Sequence, residues 1–356
     1  MSAERHVADR AEVLASLATQ IEWCHRLDAP FTAGLVGAIR ANIERDGALA
    51  TLVVPWAGKP LADALPIRLA GASHALVRAG SAPELASMYP PAAAPAWDDP
   101  AIATLLDDVA RTHRDAIAAF ISHPPQTNEV GRSAILMPGY AEIARATGLP
   151  LRVLELGASA GLNLNWHRYA YRLGSRAVGA ADAALTLAPE WRGTPPPVAA
   201  LPDVRACRGC DRSPIDLARP GAVERLVAYV WPDHPERVRR LEAAIAIARA
   251  APPSVDAEDA GVWLDARLAE PSDGVATVVA HSIVWQYFAK PTAERARHAI
   301  ERAGAAATAT RPFAWLAFEQ RTTDAPPDVR LTLWPGGDCR TVARAHPHGA
   351  WVEWLA

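Results

Sequence analysis

Long apolar runs are missing from this chain. No uninterrupted stretch approaches the roughly 20 residues of a membrane-spanning helix, so no membrane partner is expected. An excess of either charge is missing as well. A net charge of −3 and a pI near 6.4 leave no electrostatic case for nucleic acid or for an anionic membrane surface. The amino-terminal stretch MSAERHVADRAEV is polar and lacks the apolar core of a signal peptide, which points to the cytoplasm. Cysteine is scarce, with only Cys24, Cys207, Cys210 and Cys339, as suits a reducing compartment. Cys207-Arg208-Gly209-Cys210 is a lone CxxC. A zinc ribbon needs a second pair and a redox motif needs to open a helix, so a plain strand end is the expected reading, with no metal. There is no internal repeat, and no low-complexity tract beyond alanine richness.

What is present argues for a folded globular protein. Half of the 356 residues are hydrophobic and 21% are charged, enough for one large domain or two ordinary ones. The strongest local signal is Leu151–Leu164, LRVLELGASAGLNL. Apolar Val153, Leu154 and Leu156 surround a single acid, Glu155, and a small-residue turn Gly157-Ala158-Ser159-Ala160-Gly161 follows. Leu162, Trp166, Tyr169, Ala170 and Leu173 then recur near helical spacing, and Gly174 stands where a helix would end. The expectation is a buried parallel strand, a glycine turn and a helix, the unit with which an α/β nucleotide-binding fold makes its first ligand contact.

Around this unit the chain divides near residue 125. Residues 1–125 lack a strand–helix alternation. Val7, Leu14, Leu17, Ile21 and Leu35, Ile39, Ile43 recur at helical spacing, as do residues from Ile102 to Phe120. They predict a helical cap or substrate domain. Residues 126–356 predict a mostly parallel sheet covered on both faces. Its further strands are expected at Val204–Asp211, Ser254–Gly261, Ala276–Phe288 (running into His281-Ser282) and Phe313–Glu319. Val329–Trp334 and Ala350–Leu355 suit a closing antiparallel pair. Residues 175–203 read as an irregular insertion, because far more residues separate Glu155 from Asp211 than the roughly 30 of a direct strand–helix–strand step. In QTNEVGRSAIL, Asn128, Glu129 and Arg132 read either as helix capping on a solvated face or as contacts to a ligand held by the turn.

The stretch LELGASAG resembles the first motif of class I S-adenosylmethionine-dependent methyltransferases, an acid inside the strand followed by a small-residue loop. The resemblance implies a Rossmann-like sheet binding S-adenosylmethionine. Glu155 would face the cofactor's amino group beside Gly157, Ala158, Ser159, Gly161 and Asn163, with Arg132 nearby. Gly209-Cys210-Asp211-Arg212-Ser213-Pro214 is similar to the family's second-strand end, which makes Asp211 the ribose contact. Asp259-Ala260 is similar to the pair that meets the adenine edge. His281-Ser282 falls at the fourth-strand end. A structural, hydrogen-bonded histidine is the first reading of His281, and its second is as the candidate base for methyl transfer to a small-molecule acceptor. Ser159 stands where many members carry a second glycine. No Asn-Pro-Pro-Tyr-type motif supports amino methylation of a nucleobase or glutamine. Most of the chain also resembles a bacterial family catalogued as domain of unknown function 2332, through TNEVGRSAIL, LELGASAGLNL, RGCDRSPID, WPDHPERVRRLEAA, VVAHSIVWQYF and LTLWPGG.

Two other functions compete. Gly157-Ala158-Ser159-Ala160-Gly161 matches G-x-S-x-G, so Ser159 is a candidate serine-hydrolase nucleophile with His346 or His348 as base. Against that stand the helical residues 1–150, the lack of a His-Gly-Gly segment and an acid at position 155 without a triad role. The third reading is a non-catalytic nucleoside-ligand-binding domain of the same fold. G-x-G-x-x-G is not met, which disfavours NAD. Trp166, Trp231, Trp285 and Trp334 either line an aromatic pocket or simply pack.

Overall fold

The computed structural model describes residues 6–270, 273–322 and 325–356; residues 1–5 of the polar amino-terminal stretch lie outside them. The chain forms two compact units. One comprises Met1–Thr127 with Gly221–Val238, the other Asn128–Pro220 with Arg239–Ala356. The segment 221–238, expected in the second domain, therefore clusters with the first. No helix among the described residues is long and apolar enough to cross a membrane.

The first unit is a helical assembly built on α1 (Arg10–Arg26), α2 (Pro30–Glu44), α3 (Leu65–Arg78), α4 (Pro100–Thr112) and α5 (Arg114–Ile121). Asp9 and Glu12 form a reciprocal capping box that starts α1. The helical pattern read across Ile102–Phe120 is two helices, broken at His113. Leu17, Leu35, Ile39, Ile43 and Leu69 share one apolar core. The Asp233 carboxylate caps α2, accepting from Phe31 N at 2.7 Å and Thr32 N at 3.1 Å. That tie shows why residues around 233 belong with this unit.

The second unit holds a nine-stranded, mostly parallel sheet. In chain order its elements are α6 (Arg132–Thr147), β1 (Leu151–Leu156), β2 (Glu190–Arg192), β3 (Val204–Asp211), β4 (Val255–Ala257), α7 (Ala260–Leu268), β5 (Ala276–Ser282), α8 (Lys290–Ala305), β6 (Phe313–Glu319), β7 (Asp328–Trp334), β8 (Asp338–Ala345) and β9 (Trp351–Trp354). The spatial order is β2-β9-β8-β7-β6-β5-β1-β3-β4. β4, β3, β1, β5 and β6 are parallel neighbours, and β7, β8 and β9 continue antiparallel from β6.

The pleat sorts the side chains by face. Leu154, Leu156, Cys210, Val279 and Phe313 pack against Ala260, Trp263 and Leu264 of α7 and Ala296, Ala299 and Ile300 of α8. α6 covers the opposite face, where Gly139 comes so close to Leu316 that an added Cβ would lie 2.6 Å from Leu316 Cδ1. Cys207 and Cys210 sit three positions apart on β3, so they face opposite ways, and both are free thiols.

Three sequence expectations are corrected. The residues after the glycine turn form a 3-10 segment, Leu162–Arg168, followed by a strand, Ala170–Leu173, in a separate three-stranded sheet. Burial explains the override. Trp166, Tyr169 and Tyr171 are almost fully buried, and the two phenols donate to Leu162 O at 2.5 Å and Trp166 O at 2.6 Å. Those carbonyls then stabilise a tight coil in place of a continuous α-helix. Gly174 consequently lies between two strands at φ 60° and ends no helix. Finally, the carboxyl-terminal strands are not a pair: β8 stands between β7 and β9 and pairs with each.

Candidate functional site

The strand order contains a reversal. After β1 the chain adds the edge strand β2 beside β9, then runs through β3 to β4 on one side of β1 and returns to its other side with β5 and β6. Where neighbouring parallel strands send their connections in opposite directions, a crevice opens outside their carboxyl ends. Here that point lies between β1 and β5, and the turn Gly157–Gly161 lies beside it at the end of β1.

Three of the turn's five residues are left-handed, with Gly157 at φ 69°, Ser159 at 54° and Gly161 at 74°. Glycine is required at two of them for packing as well. A Cβ on Gly157 would lie 2.4 Å from Val284 Cγ2, and one on Gly161 would lie 2.7 Å from Pro253 Cβ. Ser159 takes the third left-handed position at a cost in strain, which explains why a glycine suits this position.

Asp211, at the end of β3, holds the turn in shape. Its Oδ2 accepts Ser159 N–H at 3.0 Å and its Oδ1 accepts Ser213 N–H at 2.9 Å. The backbone adds Ala158 N to Cys210 O at 2.9 Å and Ile215 N to Ser159 O at 3.2 Å. The Ser159 hydroxyl is buried and has no hydrogen-bond partner among the described residues. Neither His346 nor His348 bonds to it; His348 N–H donates to His346 Nδ1 at 3.2 Å.

Glu155 is 4% exposed and accepts no hydrogen bond among the described residues. Burial pushes its carboxyl up to about 8; the Arg132 charge opposes the shift and Asp211 adds to it. Arg132 spans the carboxyl edge, donating from Nη1 to Ser282 O at 2.9 Å and from Nε to Pro347 O at 3.1 Å. Asn128, Glu129 and Asn163 are buried, so the solvated-face reading of the first two gives way to an internal one. Asn128 Oδ1 accepts Leu162 N–H at 2.9 Å, Asn163 Oδ1 accepts the Ser133 hydroxyl at 2.7 Å, and Asn163 Nδ2 donates to Glu129 O at 3.3 Å. These residues brace the turn from behind.

Asp259 lies just past β4 and caps α7. Its Oδ1 accepts Gly261 N–H at 3.0 Å and its Oδ2 accepts the Thr292 hydroxyl at 2.5 Å. The backbone joins this corner to Asp211, whose carbonyl accepts Glu258 N–H at 3.0 Å. Hydrogen bonds hold the carboxyl below its ordinary value, although burial, the largest single influence, pushes it up.

His281 is fully enclosed. Trp315 Nε1–H donates to its Nε2 at 2.9 Å, and its Nδ1 lies 2.6 Å from Glu319 Oε1. An indole nitrogen only donates, so Nε2 is the acceptor and Nδ1–H donates to Glu319 Oε1. Both ring nitrogens of the expected base are therefore engaged, and the ring lies on the α7/α8 face. Glu319 was not among the expected site residues. The available signal was an acid ending a buried apolar strand in FAWLAFE, the same signal that singled out Glu155 in LRVLEL.

The structure thus brings Glu155, the turn, Asp211, Asn163 and Arg132 together at the carboxyl end of β1, sets Asp259 at the corner beside Asp211, and puts His281 on the opposite face of the sheet from Glu155. The four tryptophans do not gather: Trp166 stacks on Tyr140, Trp231 belongs to the first unit, Trp285 lies near Trp315, and Trp334 packs on Gly304. No group of three or more His, Cys, Asp or Glu side chains able to hold a metal occurs among the described residues.

No curated protein and no solved structure matches the chain. One family, described as "Uncharacterized protein conserved in bacteria (DUF2332)", matches residues 15–354, and the chain belongs to it.

Proposed function

We propose that this protein binds S-adenosylmethionine at the carboxyl edge of a Rossmann-like, class I methyltransferase-type sheet and transfers its methyl group to a small-molecule acceptor. The observation that carries the reading is the topological reversal between β1 and β5 with a left-handed glycine turn beside it. The cofactor supplies an electrophilic methyl group on a sulfonium centre.

The residues present fit such a group. Glu155 is a buried acid with no hydrogen-bond partner among the described residues, and a ligand's ammonium group would satisfy it. The Asp211 carboxylate stands at the end of β3, one strand from the turn, and a carboxylate there suits two vicinal hydroxyls, as on a ribose. Asp259 and Ala260 lie one strand further out, on the side where an adenine ring would extend. Gly157, Ala158, Ser159 and Gly161 form the floor, with Asn163 behind them and Arg132 tuning the charge on Glu155. Holding donor and acceptor together in a defined geometry is the main service such a site performs.

A second reading, ligand binding without catalysis, draws on His281, whose engaged nitrogens leave it no lone pair for an acceptor's proton. The hydrolase reading lacks this kind of support, because no histidine bonds to the Ser159 hydroxyl. Calorimetry with S-adenosylmethionine and S-adenosylhomocysteine on the wild type, Glu155→Ala and Asp211→Ala tests the proposal. Binding by the wild type that both variants weaken agrees with it. Binding without turnover across a broad acceptor screen favours the second reading, and fluorophosphonate labelling lost in Ser159→Ala favours the hydrolase.

A further inference from the structure

Three consecutive amides after β5 are captured by the end of β6. Ile283 N–H donates to Phe318 O at 2.8 Å, and Val284 and Trp285 N–H donate to Glu319 Oε1 at 3.1 and 3.3 Å. That oxygen also accepts His281 Nδ1–H, and Trp315 holds the far side of the ring. Ile283 is thereby fixed at φ 47°. A β-branched residue in the left-handed region persists only where its surroundings over-determine it.

The result of this clamp is felt at the glycine turn. Val284 lies between the clamp and the turn, with its Cγ2 methyl 2.4 Å from where a Gly157 Cβ would sit. Glu319 is on the other face of the sheet from Glu155, so any influence on the crevice passes through the segment Ser282–Trp285. Arg132 fixes the near end of the same segment through Ser282 O.

We propose that Glu319 is a positioning residue of the crevice: with His281 and Trp315 it sets Val284 against Gly157, and so shapes the wall that a ligand at the turn meets. The consequence for affinity rests on the cofactor reading above; the consequence for the turn itself does not.

The experiment compares the wild type with Glu319→Ala, Glu319→Gln and Val284→Ala, alone and combined, by amide hydrogen exchange and by S-adenosylhomocysteine titration below the unfolding transition. In Glu319→Ala, exchange at Val284 and Trp285 should rise at least tenfold, and exchange at Gly157 and Ala158 should rise with it. Affinity should fall at least tenfold. Glu319→Gln, which keeps an acceptor oxygen, should restore most of both. In the Val284→Ala background, Glu319→Ala should cost little further affinity, because the two act in series. Faster exchange confined to Val284 and Trp285, with the turn unchanged, overturns the proposal whether or not the wild type binds. So does unchanged or additive affinity in a wild type that binds. Failure of the wild type to bind removes the cofactor reading, and the turn amides then decide the role of Glu319. Should Glu319→Ala not fold, Trp315→Phe releases the same histidine and carries the same expectations.

Discussion

Glu155 and His281 stand in adjacent registers of paired strands and face opposite sides of the sheet. Glu155 pairs with Ala280 and Leu156 with His281, so one step along the pleat separates their directions. An acid and a histidine that the sequence suggests as one site are divided by the sheet itself. The acid keeps company with the turn and Asp211, and the histidine with Trp315 and Glu319.

Glu155 makes stability depend on pH. Its carboxyl is raised from 4.5 to about 8 by burial. Between those values the folded chain binds a proton that the unfolded chain has lost, so this group's contribution falls as pH rises from about 4.5 to about 8 and is flat above. At about 1.4 kcal/mol per pH unit the loss reaches a few kcal/mol. Glu155→Gln should abolish that slope, so that its stability relative to wild type is greater at pH 8.5 than at pH 5. Urea denaturation at the two pH values checks this. An unchanged slope would show that the Glu155 carboxyl is not the source.

Asp211→Ala removes the acceptor of two backbone N–H groups. The variant should lose about 1–3 kcal/mol of stability, and Asp211→Asn, which keeps one acceptor oxygen, should lose less. Chemical denaturation with equal m-values measures both.

Gly157→Ala meets both a left-handed backbone and the Val284 methyl, and should cost about 1–3 kcal/mol. Val284→Ala clears the steric part alone, so the double variant should recover a fraction of the loss. Thermal unfolding of the three proteins reads it; no recovery would mean that the backbone carries the whole cost.

Ser159→Gly relieves the left-handed strain but loosens the unfolded chain, and should lie between neutral and about 1 kcal/mol more stable. Ser159→Ala breaks no hydrogen bond among the described residues and should be within about 0.5 kcal/mol of wild type. Differential scanning calorimetry separates the two.

The strands of the crevice were legible because they are short apolar runs bounded by breakers. Phe313–Glu319 is observed with its expected bounds, and β1 and β5 begin where the apolar residues do, but β5 ends at Ser282 and Trp285–Tyr287 is a 3-10 turn where the expected strand runs on to Phe288. β8 escaped notice because DCRTVARA has no apolar run and is half-exposed along its length. The helix expected after the turn failed because periodicity records which residues are buried and not what buries them. Tyr169 and Tyr171 are interior for the sake of their hydroxyl bonds to Leu162 and Trp166. At the site, the acids of Glu155 and Asp211 were visible as odd residues in apolar surroundings. A structural, hydrogen-bonded His281 is also legible from its strand-end position, but its partners are not, since Trp315 and Glu319 reach it only through the register of β5 on β6.

Cofactor binding at the turn beside Glu155 is tested by titration of the wild type with S-adenosylhomocysteine at pH 7 in two buffers of different ionisation enthalpy. An ammonium group recruited by a carboxyl that titrates near 8 must discharge its proton. The account therefore predicts saturable binding at one site with release of close to one proton, and release abolished in Glu155→Gln. No saturable heat, or binding with no buffer dependence, would contradict it.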